Sequence, residues 1–169
     1  KLIRRELSKT FLTEKSTFHK INEGTPNFFR HISSENNQKY SIKMVKQTKY
    51  YFPWNPDDVE IYKTIYPCWR LIKMISGYYP DAWEKNTPKD GIVDRIQIVR
   101  YPPKYGMIEL HQDPYLYQKF FISGYFTKKG VDYNGGGMHA INKKKEKIDL
   151  EEKIDIGDVS FGIATIKHI

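Results

Sequence analysis

The run "IVDRIQIVRY", Ile92 to Tyr101, alternates strictly: Ile92, Asp94, Ile96, Ile98 and Arg100 fall on one face, Val93, Arg95, Gln97 and Val99 on the other. A period of two is the pattern of a half-buried strand. The same grammar continues to the end of the chain. "PPKYG" reads as a turn, "MIELHQD" and "YQKFFISGYF" as strands, and "KKGVDYNGGG" as a turn-rich connection. "MHAIN", "KIDLEEKID" and "DVSFGIATIKHI" then supply further short β segments. Short strands at this spacing, punctuated by glycine, build an antiparallel sandwich or barrel. The expectation is a mainly β chain in a single domain, 1–169, with its β core over 91–169.

Residues 1–90 read as a helical and stranded N-terminal support. "KLIRRELSKTFL" suits a short helix, "SENNQ" a turn, and Lys39–Phe52 contains a strand. "PWNPDD" is a breaker and then a helix start, with Asn55 or Asp57 as cap and Pro56 in the first turn. Val59, Tyr62, Ile65, Tyr66, Trp69, Ile72 and Ile75 recur at three- and four-residue intervals, the apolar face of a helix over 57–76. Pro67 is expected to kink or split it, and Gly77 to end it.

Composition narrows the classes. Thirteen Tyr and nine Phe provide the large apolar areas that a core of 169 residues needs. The formal charge of +8 permits an anionic partner. Its densest run, "NKKKEK", is short and loop-like, and no basic helix or zinc-finger spacing points to nucleic acid. No apolar stretch approaches the roughly 18 residues of a membrane span. A lone cysteine, Cys68, allows no disulfide within the chain and fits a reducing, cytoplasmic setting.

The chemistry concentrates in "LHQDPYLYQKFF". His111 and Asp113 stand two apart on a β-like segment, so both side chains leave the same face. "KIDIGDVSFGIATIKHI" ends in His168, on a second β-like segment. Two neutral imidazoles and a carboxylate can occupy one face of an octahedral iron(II) and leave three positions open. His139, in "GGGMHAIN", is the rival third ligand; His19 and His31 read as surface residues. "NGGG" lacks the following Lys-Ser/Thr and helix of a phosphate-binding loop and reads as a turn. Asp158 reads as a turn-shaping residue.

Taken in order, strand, H-x-D, strand, paired glycines, glycine–aspartate strand and distal His, the segment 91–169 resembles the Fe(II)- and 2-oxoglutarate-dependent dioxygenase superfamily. The stretches "RIQIVRYPPKYGMIELHQD", "YFTKKGVDYNGGGMHAI" and "IGDVSFGIATIKHI" are similar to its prolyl-4-hydroxylase-like branch. The resemblance implies a double-stranded β-helix, or jelly roll, with His111, Asp113 and His168 as both metal ligands and catalytic centre. It implies 2-oxoglutarate and dioxygen as cosubstrates, ascorbate as a reductant, and hydroxylation of an unidentified primary substrate through a ferryl species. Tyr101 resembles the branch's tyrosine that bonds the cosubstrate. The family pairs the far carboxylate of 2-oxoglutarate with an Arg or Lys beyond the distal His; within this sequence the candidates are Lys119 and Arg100. Two other readings of the same residues stay open: a cupin-like jelly roll that binds a ligand without redox chemistry, and a non-haem metal enzyme that does not use 2-oxoglutarate.

Overall fold

The computed structural model describes residues 11–55, 59–116 and 118–169. The chain is mainly β, and it divides into two compact units, one ending at Ile108 and one beginning at Glu109. The expected cap Asp57, the expected first-turn Pro56 and most of the expected N-terminal helix lie outside the described residues.

In the first unit, β2 (Met44–Tyr51) is the central strand. It pairs antiparallel with β1 (Phe28–Ile32), β3 (Ile96–Arg100) and the short β4 (Met107–Ile108). The register sets Tyr51 opposite Ile96 and Lys49 opposite Ile98, so Tyr51, Ile96 and Ile98 share one face. Helix α1 (Val59–Ile75) lays Ile61, Tyr62, Ile65, Tyr66 and Trp69 on that face. This is the apolar stripe visible in the sequence, and its burial is what holds the helix. Pro67 lies within one uninterrupted helix rather than dividing it. Gly77 ends the helix with φ +83°. The Gly77 and Tyr78 amides bond the carbonyls of Met74 and Lys73, at 3.0 and 2.9 Å, a Schellman closure that needs a left-handed residue.

The opposite face of β2 carries a second cluster. Phe28 stacks on Tyr50 at 4.6 Å and Phe52 on Trp54 at 4.8 Å, with Phe52 fully buried. The Asn27 side chain accepts the Phe52 amide and the Asn55 Nδ2–H, and the Trp54 indole donates to the Thr25 carbonyl. In the last turn of α1, Lys73 is wholly buried. Its ammonium donates to the Asp94 carboxylate at 2.6 Å and the Ala82 carbonyl at 2.5 Å, and lies within about 6 Å of the Tyr66, Trp69 and Trp83 rings.

The second unit contains two ribbons. One pairs β5 (Phe120–Gly124) with β8 (Val159–Ile163). The other pairs β6 (His139–Ile141) with β7 (Lys147–Asp149). The last residues of the chain join the second ribbon: the His139 and Ile169 backbones exchange bonds of 2.9 and 3.0 Å. His168 in turn bridges to His111, again antiparallel. Residue 111, residue 168, β6 and β7 therefore lie side by side as four short neighbouring segments. Among the described residues, no helix is long and apolar enough to cross a membrane.

Candidate metal centre

His111 and His168 come from segments more than fifty residues apart, and the sheet makes them neighbours. Their backbones exchange two hydrogen bonds of 2.9 Å, the closed pairing of an antiparallel ladder. Directly opposed residues project to the same face, and their rings sit 4.3 Å apart at 57°. Asp113, two residues on, donates its amide to the Ala164 carbonyl at 2.9 Å. Its carboxylate Oδ2 lies 3.9 Å from His168 Nε2. One ligand atom from each of His111, Asp113 and His168 lies within 4.8 Å of the others.

Both imidazoles are oriented. His111 Nδ1 is 2.8 Å from the Glu109 carbonyl, and His168 Nδ1 is 2.8 Å from the Ile166 carbonyl. A carbonyl only accepts, so each Nδ1 carries a proton, and in the neutral ring each Nε2 keeps a lone pair. This is the arrangement that fixes the tautomer of a metal-binding histidine. The donor set, two imidazole nitrogens and a carboxylate, suits a divalent transition ion rather than calcium or magnesium, which take oxygen donors. The residues present therefore fit the iron that the sequence resemblance implies.

Phe121 packs its ring 4.8 Å from that of His168. It can do so because its partner across the ribbon is Gly162: a Cβ there would stand 2.7 Å from the Phe121 ring. Farther along the same ribbon the Tyr125 hydroxyl pairs with Ser160 Oγ at 2.8 Å, and burial pushes the phenol up. Gln118 Nε2 donates to Asp113 Oδ2 at 2.7 Å. A depression of about 300 Å³ borders the site, lined by Leu110, His111, Gln112 and Lys167.

The structure brings together the three residues singled out as ligands and leaves the rival out. Ala140 is opposite His168, so His139, its neighbour along β6, projects to the other face. There it faces Asp149, Nε2 to Oδ2 3.7 Å, beside the Lys129–Asp149 ion pair. Lys129 also donates to the Gly136 carbonyl, so the glycine run is a clamped turn. Asp158 accepts the Asp155 amide at 2.7 Å, also in a turn. Of the cosubstrate candidates, Lys119 folds onto Tyr115, 3.1 Å from its carbonyl and 4.2 Å from its ring centroid. Arg100 and Tyr101 belong to the first unit, where the Arg100 guanidinium lies over the Phe11 ring and Tyr101 is exposed. His31 is exposed, while His19 packs on Phe28 at 5.1 Å.

Gln118, Phe121, Gly162 and Ala164 were not visible as site residues. Their roles depend on turns and cross-strand pairing, and no spacing in the sequence announces them. The charge is also unevenly placed. Residues 109–169 hold nine Lys against nine Asp and Glu, so the +8 of the chain falls entirely before residue 109. The triad-bearing unit thus has no net charge to draw anions from a distance. No known protein family, curated protein or solved structure matches this chain.

Proposed function

We propose that the second unit holds a divalent transition metal on His111, Asp113 and His168 and that the protein is an Fe(II)- and 2-oxoglutarate-dependent oxygenase, a hydroxylase on a jelly-roll scaffold. The observation that carries the reading is the pair of Nδ1–H anchors, which leave two Nε2 lone pairs and one carboxylate within reach of each other. Bound there, Fe(II) supplies dioxygen activation coupled to the decarboxylation of 2-oxoglutarate. The chain's own part is positional. The His111–His168 backbone pairing sets the spacing of the imidazoles, and the carbonyls of Glu109 and Ile166 hold their tautomers. Phe121 provides an apolar wall that keeps water from one side of His168.

A second reading keeps the metal and drops 2-oxoglutarate. It is favoured by Lys119, whose ammonium is engaged by Tyr115. Iron-dependent release of succinate from 2-oxoglutarate, with and without a metabolite mixture, separates the two. The oxygenase reading expects release that is lost in His111→Ala, Asp113→Ala and His168→Ala. Turnover that survives His111→Ala refutes it.

A further inference from the structure

We infer that Gln118 is a positioning residue for the carboxylate ligand, its side-chain amide setting the direction in which Asp113 faces the ion; this rests on the reading of His111, Asp113 and His168 as a metal site. Each histidine of the triad has its own anchor, a backbone carbonyl on Nδ1. An aspartate has no second ring nitrogen, and its terminal torsion is broad and nearly two-fold. Without a partner the carboxylate samples orientations that point no lone pair at the ion. The Gln118 amide supplies that partner, 2.7 Å from Oδ2. A carboxylate offers about four acceptor sites on its two oxygens, so one donor leaves the rest for a metal.

The amide is itself held in place. The Gln118 N–H bonds the Pro114 carbonyl at 3.1 Å, and the Lys119 ammonium donates to the Tyr115 carbonyl at 3.1 Å. Ala164, with no exposed surface, is bonded to both Asp113 and Lys119. Its carbonyl accepts the Asp113 amide at 2.9 Å, and its N–H donates to the Lys119 carbonyl at 3.2 Å. Asp113 and Gln118, five residues apart, are thereby brought face to face by backbone geometry that neither side chain creates. The contact is thus flanked by two bonds to one buried residue, one at Asp113 and one at Lys119, the neighbour of Gln118.

The test is a cobalt(II) titration of the full chain, read by the visible absorption of the bound ion and by competition with a chelator, alongside apo melting curves. Wild type is expected to take up one cobalt per chain, and His111→Ala to lose it. Gln118→Ala and Gln118→Met are each expected to bind about 10–100-fold more weakly, with a shifted cobalt spectrum and apo melting like wild type. Gln118→Met keeps the length of the side chain without its donor, so a role in packing alone would leave that variant at wild-type affinity and overturn the inference. Wild-type affinity and spectrum in both Gln118 variants also overturns it, while the metal reading stands. A wild-type chain that takes up no cobalt, or a His111→Ala chain that keeps it, instead removes the metal reading itself.

Discussion

Lys73→Met is the sharpest test of how the first unit is held together. The ammonium of Lys73 is 2.6 Å from Asp94 Oδ2, with both side chains almost wholly removed from solvent. At an effective dielectric of about 20, that separation corresponds to roughly 6 kcal/mol of attraction, much of it offset by desolvation. Removing one partner of such a pair costs about 3–5 kcal/mol, because the other charge is left buried and unpaired. The cost depends on pH. Burial pushes the Asp94 carboxyl from 3.8 up to about 6, against the pull of Lys73. Its raised value favours the folded state at pH below the unfolded value of about 3.8, a contribution of about 3 kcal/mol that is lost as pH rises through about 6. Without Lys73 the carboxyl rises further. At about pH 8 the variant must therefore bury a bare carboxylate or bind a proton at a cost, whereas at about pH 5 Asp94 is already mostly neutral. The expected deficit is about 3–5 kcal/mol near pH 8 and about 1 kcal/mol near pH 5, with Lys73→Met/Asp94→Asn recovering most of the former. Urea unfolding followed by tryptophan fluorescence reads this unit alone, since Trp54, Trp69 and Trp83 all precede residue 109. A deficit below about 1 kcal/mol near pH 8, or the same deficit at both pH values, refutes the reasoning.

Other outcomes follow from the packing. Gly162→Ala drives a methyl into the Phe121 ring, which a Cβ would meet at 2.7 Å; a loss of about 1–3 kcal/mol and weaker cobalt binding are expected, and an unchanged metal affinity would show that Phe121 does not brace His168. Phe52→Ala empties a fully buried site between Phe28 and Trp54. It is expected to cost about 3–5 kcal/mol by urea unfolding, and a loss under about 1 kcal/mol would mean that this cluster is not a core.

Periodic features were the most legible. Helix α1 follows from apolar residues at three- and four-residue intervals, and its end from Gly77, because helical periodicity and a left-handed cap are local properties. Strands β2, β3, β5, β6, β7 and β8 fall within the segments of alternating or apolar character. Strand β1 was not read from "NFFRHI", a short run in a polar surrounding whose burial comes from pairing with β2. The helix is also not split at Pro67, one of the two outcomes expected there. The ring of Pro67 removes one backbone donor, but Trp69, Ile72 and Lys73 beyond it are anchored by burial and ion pairing, and those tertiary contacts outweigh the local penalty.

What the sequence determined alone is the set of chemical parts: a mainly β chain, an apolar helix face, and His111 and Asp113 on one side of a β-like segment. All of these depend on residues close along the chain. Which strands are neighbours is a matter of long-range pairing. Tertiary structure alone placed β3 beside β2, set His168 opposite His111, and turned His139 to the other face. The reason is the alternation of side chains along a strand: a shift of one residue in register would have exchanged His168 for Lys167 and dissolved the triad.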